Sequence, residues 1–168
     1  MYLRYDKKET EKWAVTVIAR KYDKIYQDFE KNNETDGFDY IYTKEKIALE
    51  VSLVIPENEK RYYEYEKALE KKGNANESRI KGFKQFEDGR IKHFGGSIDE
   101  IINLTLERIK AKHSKAIRHN SQGEFNKVNL CLLINDGSLL GVETFRFYFK
   151  GLERYMFNKI FFLRNPIL

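Results

Sequence analysis

An α/β fold is predicted for this chain of 168 residues by three features: three stretches with helical apolar spacing, a pair of β-branched and aromatic runs, and one short, mostly apolar run with apolar residues on both faces. With 34% charged and 41% hydrophobic residues, the length fits one domain spanning 1–168, and no repeat or linker divides it. Ala14, Ile18, Tyr22, Ile25 and Phe29 recur at three- and four-residue spacing, which predicts a first helix from Glu9 to about Phe29. KNNETDG follows, and its Asn, Asp and Gly residues favour a loop. Phe38–Tyr42 and Lys46–Ile55 then read as adjacent antiparallel strands joined by a short TKE turn.

After Pro56, the apolar spacing of Tyr62, Tyr65 and Leu69 predicts a second helix that stops at Gly73. Residues 73–96 turn basic and glycine-containing, as suits a loop or an inserted hairpin. Ser97 and Glu100 have capping-box spacing, and Ile98, Ile101, Ile102, Thr105 and Ile109 extend a third helix to about Arg118. Lys127–Ile134 is the run that is apolar on both faces, the pattern of a strand covered from both sides. Ser138–Asn158 is read as a glycine-interrupted helix and Lys159–Leu163 as a last strand.

Composition excludes several classes of protein. A single cysteine, Cys131, allows neither an internal disulfide nor a cysteine-built zinc site, and in its apolar strand it reads as a core residue. The N-terminal stretch lacks the apolar segment of a signal peptide, and no run reaches the roughly 20 apolar residues of a membrane span. A cytoplasmic, membrane-independent protein is expected. The net charge of +5 permits acidic partners without demanding them.

Three acids stand in unusual positions. Glu11 falls on the apolar stripe of the first helix, where the positive end of the helix dipole would favour a carboxylate in any case. Glu50 shares one strand face with Ala48, Ser52 and Val54, where an unpaired charge would be expensive, so it needs a partner. Asp39 heads the preceding strand, with Asp36 as its alternative, and hairpin pairing would carry it toward Glu50. If the three converge, an all-oxygen site of this kind suits Mg2+ or Mn2+.

A helix with Glu11, then Asp39 at a strand start, then Glu50 inside IALEVS, resembles the PD-(D/E)xK, restriction-endonuclease-like nuclease superfamily. IKAKHSKAIRH feeding KVNLCLLIND is similar to the second half of that family. The resemblance implies a mixed central sheet flanked by helices and a metal-dependent phosphodiesterase, with Asp39, Glu50 and the Val51 carbonyl holding the ion and Glu11 as a further ligand or water-mediated partner. The sequence departs from the family at Ser52, which stands where the motif lysine belongs. A serine hydroxyl can assist only by hydrogen bonding. Lys46, on the same strand face, lies about 13 Å from Glu50 at ~3.3 Å per residue, too far to replace that lysine. Lys112 and Lys115 on the third helix are better candidates for a migrated lysine, and with Arg118 they form a cationic group suited to phosphate contacts.

The leading expectation is a nuclease-like domain that binds nucleic acid, whether active or no longer cleaving. The alternative is a non-catalytic protein-interaction module on the same fold. A homodimer is left open by the sequence.

Overall fold

The structure, a computed structural model, describes residues 7–34, 36–55, 83–85, 91–93, 98–134 and 155–164. Helix α1, Lys7–Lys21, opens the chain and buries Glu11, Ala14, Val15 and Ile18. It stops well before Phe29. Asp23 takes an extended conformation and its carboxylate accepts the Ile25 N–H at 3.1 Å, capping a new 3-10 turn at Lys24–Asp28. The expected single helix is therefore two, and Tyr22, assigned to the apolar stripe, is 45% exposed. Phe29 reaches the core from the far side of the break, stacked on Tyr26 at 4.5 Å.

Strand β1, Glu30–Lys31, is a two-residue piece inside what the sequence offered as helix and loop. It pairs antiparallel with β2, Tyr40–Tyr42, which pairs antiparallel with β3, Ile47–Val54. The TKE turn is one 3-10 turn, Thr43–Glu45, closed by Lys46 at φ 53°. The short strands β4, Phe83–Gln85, and β5, Ile91–His93, pair antiparallel with each other in a separate two-stranded sheet. Helix α2 spans Ile98–His119. Strand β6, Lys127–Ile134, lies parallel to β3 on one side and to β7, Lys159–Arg164, on the other. The main sheet has the order β1-β2-β3-β6-β7.

This five-stranded sheet is mixed, antiparallel at one end and parallel at the other, and among the described residues one α-helix packs on each face. Period-two alternation divides its side chains. Leu49, Val51, Cys131, Leu133 and Leu163 meet Ala14 and Ile18 of α1, while Ala48, Val54, Val128, Leu130 and Leu132 meet Ile101, Ile109 and Ala116 of α2. Because both faces are covered, β6 is buried from Val128 to Ile134, as its mostly apolar run suggests, and the one polar residue in that stretch, Asn129, donates to the Tyr26 hydroxyl at 2.7 Å. The helix expected after Pro56 lies outside the described residues, as does most of Ser138–Asn158. The last four residues of that span, 155–158, form a turn and not a helix. There the backbone N–H of Asn158 donates to Val128 O at 2.9 Å, and its side-chain oxygen accepts the Val128 N–H at 3.0 Å, so one residue docks both polar groups at the head of β6. Among the described residues no helix is long and apolar enough to cross a membrane.

Candidate active site

The sheet register explains how Asp39 and Glu50 meet. Strand β2 pairs Tyr40 with Leu49 and ends there. One further antiparallel step would set Asp39 opposite Glu50, on the same face of the sheet. Here the ladder stops and a side chain takes over. Asp39 Oδ2 accepts the Val51 N–H at 2.8 Å, filling the place of the strand partner that β2 no longer supplies. The N–H and C=O of one strand residue point to the same edge, so the Val51 carbonyl is directed toward Asp39 as well.

The loop before β2 is built to hold Asp39. Asn32 N–H donates to Asp39 O at 3.0 Å, and Asn32 Oδ1 accepts the Glu34 N–H at 3.1 Å in an Asx turn. A Cβ at Gly37 would lie 2.5 Å from Asn32 Nδ2, so a side chain there would make the Asn32 amide shift. Asp36, the alternative motif residue, points into solvent and comes no nearer than 3.6 Å to His119 Nε2.

Glu50 is 1% exposed on the α2 face, and the partner it needs comes from α2. Lys112 Nζ and Lys115 Nζ both donate to Glu50 Oε1, the latter at 2.9 Å. Among the described residues Glu50 Oε2 is buried with no hydrogen-bond partner. A buried carboxylate with two ammonium groups on one oxygen and none on the other is unevenly satisfied. Asp39 senses this arrangement. Its pKa is raised, first by burial and then by the Glu50 charge, against the opposing pull of the Val51 N–H, Lys112 and Lys115.

Ser52 lies one pleat beyond Glu50 on the same face and is buried. Arg118, grouped with Lys112 and Lys115 in the sequence, is exposed at the end of α2 and does not join them. Glu11 is not brought to the pair. It is buried on the opposite, α1, face, bonded to Lys31 with Lys7 at 3.5 Å. Lys31 lies 5.2 Å above the Tyr40 ring. Burial opposes its charge, yet the hydrogen bond and charge of Glu11, with the fields of Tyr40 and Asp39, leave the Lys31 pKa above the ordinary lysine value. Among the described residues no three His, Cys, Asp or Glu side chains gather as a ligand cage.

The lysine pair had a readable signal. Ile101, Thr105 and Ile109, each fully buried, define the α2 stripe, and its next steps are Lys112 and then Ala116. A lysine on an apolar helix stripe and a glutamate on an apolar strand face are complementary oddities. Neither can be left alone in the core. The donor set that results is two carboxylates and one strand-edge carbonyl. It suits Mg2+, which is usually held by one or two carboxylates plus waters and substrate phosphate and not by an all-protein cage. Glu50 Oε2 is an oxygen such an ion would satisfy. No protein family, no curated protein and no solved structure matches the chain.

Proposed function

We propose that the protein is a metal-dependent phosphodiesterase acting on nucleic acid, a PD-(D/E)xK-like nuclease in which α2 supplies the lysine missing at Ser52. The observation that carries this reading is Glu50, whose Oε1 bears two lysines while its buried Oε2 stays unpartnered beside Asp39. Asp39, Glu50 and the Val51 carbonyl would hold Mg2+ or Mn2+. The bound ion would polarise a phosphoryl oxygen and make an attacking hydroxide available near neutral pH.

Charge balance favours the arrangement. Two carboxylates and two ammonium groups sum to zero, and a divalent ion with a phosphodiester and a hydroxide adds zero again. Lys112, the less exposed amine, is suited to orient the attacking water, and Lys115, nearer solvent, to meet the phosphate charge that grows in the transition state. Ser52 can only assist by hydrogen bonding. Glu11, across the sheet, takes no part.

Thermal melting in Mg2+ and Mn2+ tests the site: the wild type gains stability by mass action and Glu50→Gln does not. Incubation in Mn2+ with linear, circular and single-stranded DNA and with RNA then tests cleavage, which is lost in Lys112→Met. A second reading, a non-catalytic interaction module, rests on the fact that two lysines already neutralise Glu50 without an ion. A wild type with neither metal shift nor cleavage selects that reading.

A further inference from the structure

Asp39 is held at both of its polar ends, and the hold on its carbonyl depends on the edge of the sheet. The Asn32 N–H donates to Asp39 O at 3.0 Å, one step past the pairing of Lys31 with Tyr40 that ends β1. Strand β1 has two residues, both exposed, and so short an edge piece gains little from its own ladder. Side chains must fasten it. At its entry Phe29 stacks on Tyr42, with 5.7 Å between ring centroids, whereas the end nearer Asp39 relies on Lys31.

Asn32 and Asp39 meet at a hydrogen-bonded position of the antiparallel ladder, so Lys31 and Tyr40, one residue along, meet at the closer, non-hydrogen-bonded position. There the Lys31 amine passes over the Tyr40 ring and donates to Glu11 Oε2. Glu11 itself is buried on α1, and Lys7, mostly exposed, stands farther off at 3.5 Å. Among the described residues Glu11 Oε1 has no hydrogen-bond partner. A carboxylate so placed cannot release Lys31 without leaving its charge stranded in the core. One path therefore runs from α1 through Glu11, Lys31 and Asn32 to the backbone of Asp39.

We infer that Lys31 is a positioning residue of the candidate site: held by Glu11, it pins β1 to β2, so that Asn32 fixes the Asp39 backbone and the Asp39 carboxylate stays on the Val51 N–H. Glu11 takes no part in the chemistry and acts at a distance, through Lys31. The bearing on metal binding rests on the nuclease reading, whereas the pinning does not.

Amide hydrogen exchange in EDTA tests the pinning. The Val51 N–H reports on the Asp39 carboxylate, and the Leu132 N–H, in the middle of β6, reports on opening of the whole sheet. The double variant Glu11→Gln/Lys31→Met removes both charges at once, so that no lone charge is buried and the fold is kept. In it Val51 should exchange roughly tenfold faster while Leu132 keeps the wild-type rate. Lys31→Arg, which still reaches Glu11, should leave Val51 near the wild-type rate. The Mn2+ concentration that gives half of the melting shift should rise roughly tenfold in the double variant, the usual loss when the support of a metal ligand is removed. The inference is overturned if Val51 is unchanged in the double variant, if Val51 and Leu132 accelerate together, as a merely structural pair would have it, or if Lys31→Arg behaves like the double variant. A wild-type metal shift whose midpoint the double variant leaves in place overturns it too. A wild type with no metal shift sinks the nuclease reading alone, and the exchange of Val51 still decides the pinning.

Discussion

Removing the Glu50 carboxylate would strand two lysines against an apolar helix face, and the loss should be large. Breaking a buried ion pair from one side typically costs 3–5 kcal/mol; for Glu50→Ala about 3 kcal/mol is expected from urea unfolding, because the amines can turn partly to water. Lys112→Met should cost less, since Lys115 remains on the same oxygen. Asp39 behaves in the opposite sense. Its raised pKa means that the folded state favours the protonated acid. That contribution is fully present below the unfolded value of about 3.9 and is lost as pH rises through the folded pKa. Above that folded pKa the ionised Asp39 therefore weighs against the fold. Asp39→Asn retains an oxygen for the Val51 N–H, so its unfolding midpoint should exceed that of the wild type at pH 7, and the difference should vanish in acid. Mg2+ should narrow the gap by stabilising the wild type alone.

Among the elements, the apolar patterns carried most of the information. Strand β6 runs Lys127–Ile134 as its mostly apolar run indicated, and the β3 face of Ala48, Glu50, Ser52 and Val54 is buried throughout. Breaks in the pattern were harder to read. The stripe through Tyr22 and Phe29 continued past Asp23, yet a local cap won over periodicity and restarted the chain as a 3-10 turn. The site was half legible. Asp39 and Glu50 are placed by hairpin register, a local property, whereas the contact of Glu50 with Lys112 and Lys115 spans 62 and 65 residues and depends on how α2 lies over the sheet. The turn between β2 and β3 offers its own test. Lys46 sits at φ 53°, a conformation that costs an L-residue roughly 1–2 kcal/mol and glycine almost nothing. After the added chain entropy of glycine, Lys46→Gly should raise stability by about 0.5 kcal/mol in urea titration and leave the site intact.

At the scale of the molecule, two separate apolar layers share one sheet, and Cys131 reports on the α1 layer. It is fully buried beside Leu49, Val51 and Phe161, and burial pushes its thiol pKa far up. Its reaction with a thiol reagent should accordingly proceed only at the rate of unfolding and accelerate with denaturant in step with the loss of far-ultraviolet dichroism. The layered build has another outcome. Glu50 lies in β3 and Asp39 just ahead of β2, whereas both amines ride on α2, so the acids and the amines are mounted on different elements. A slide of the helix by a few ångströms would double the spacing between positive and negative groups and roughly halve their attraction. Any molecule that wedges under α2 would thus act as a dimmer on the proposed chemistry, without touching one of the four charged groups.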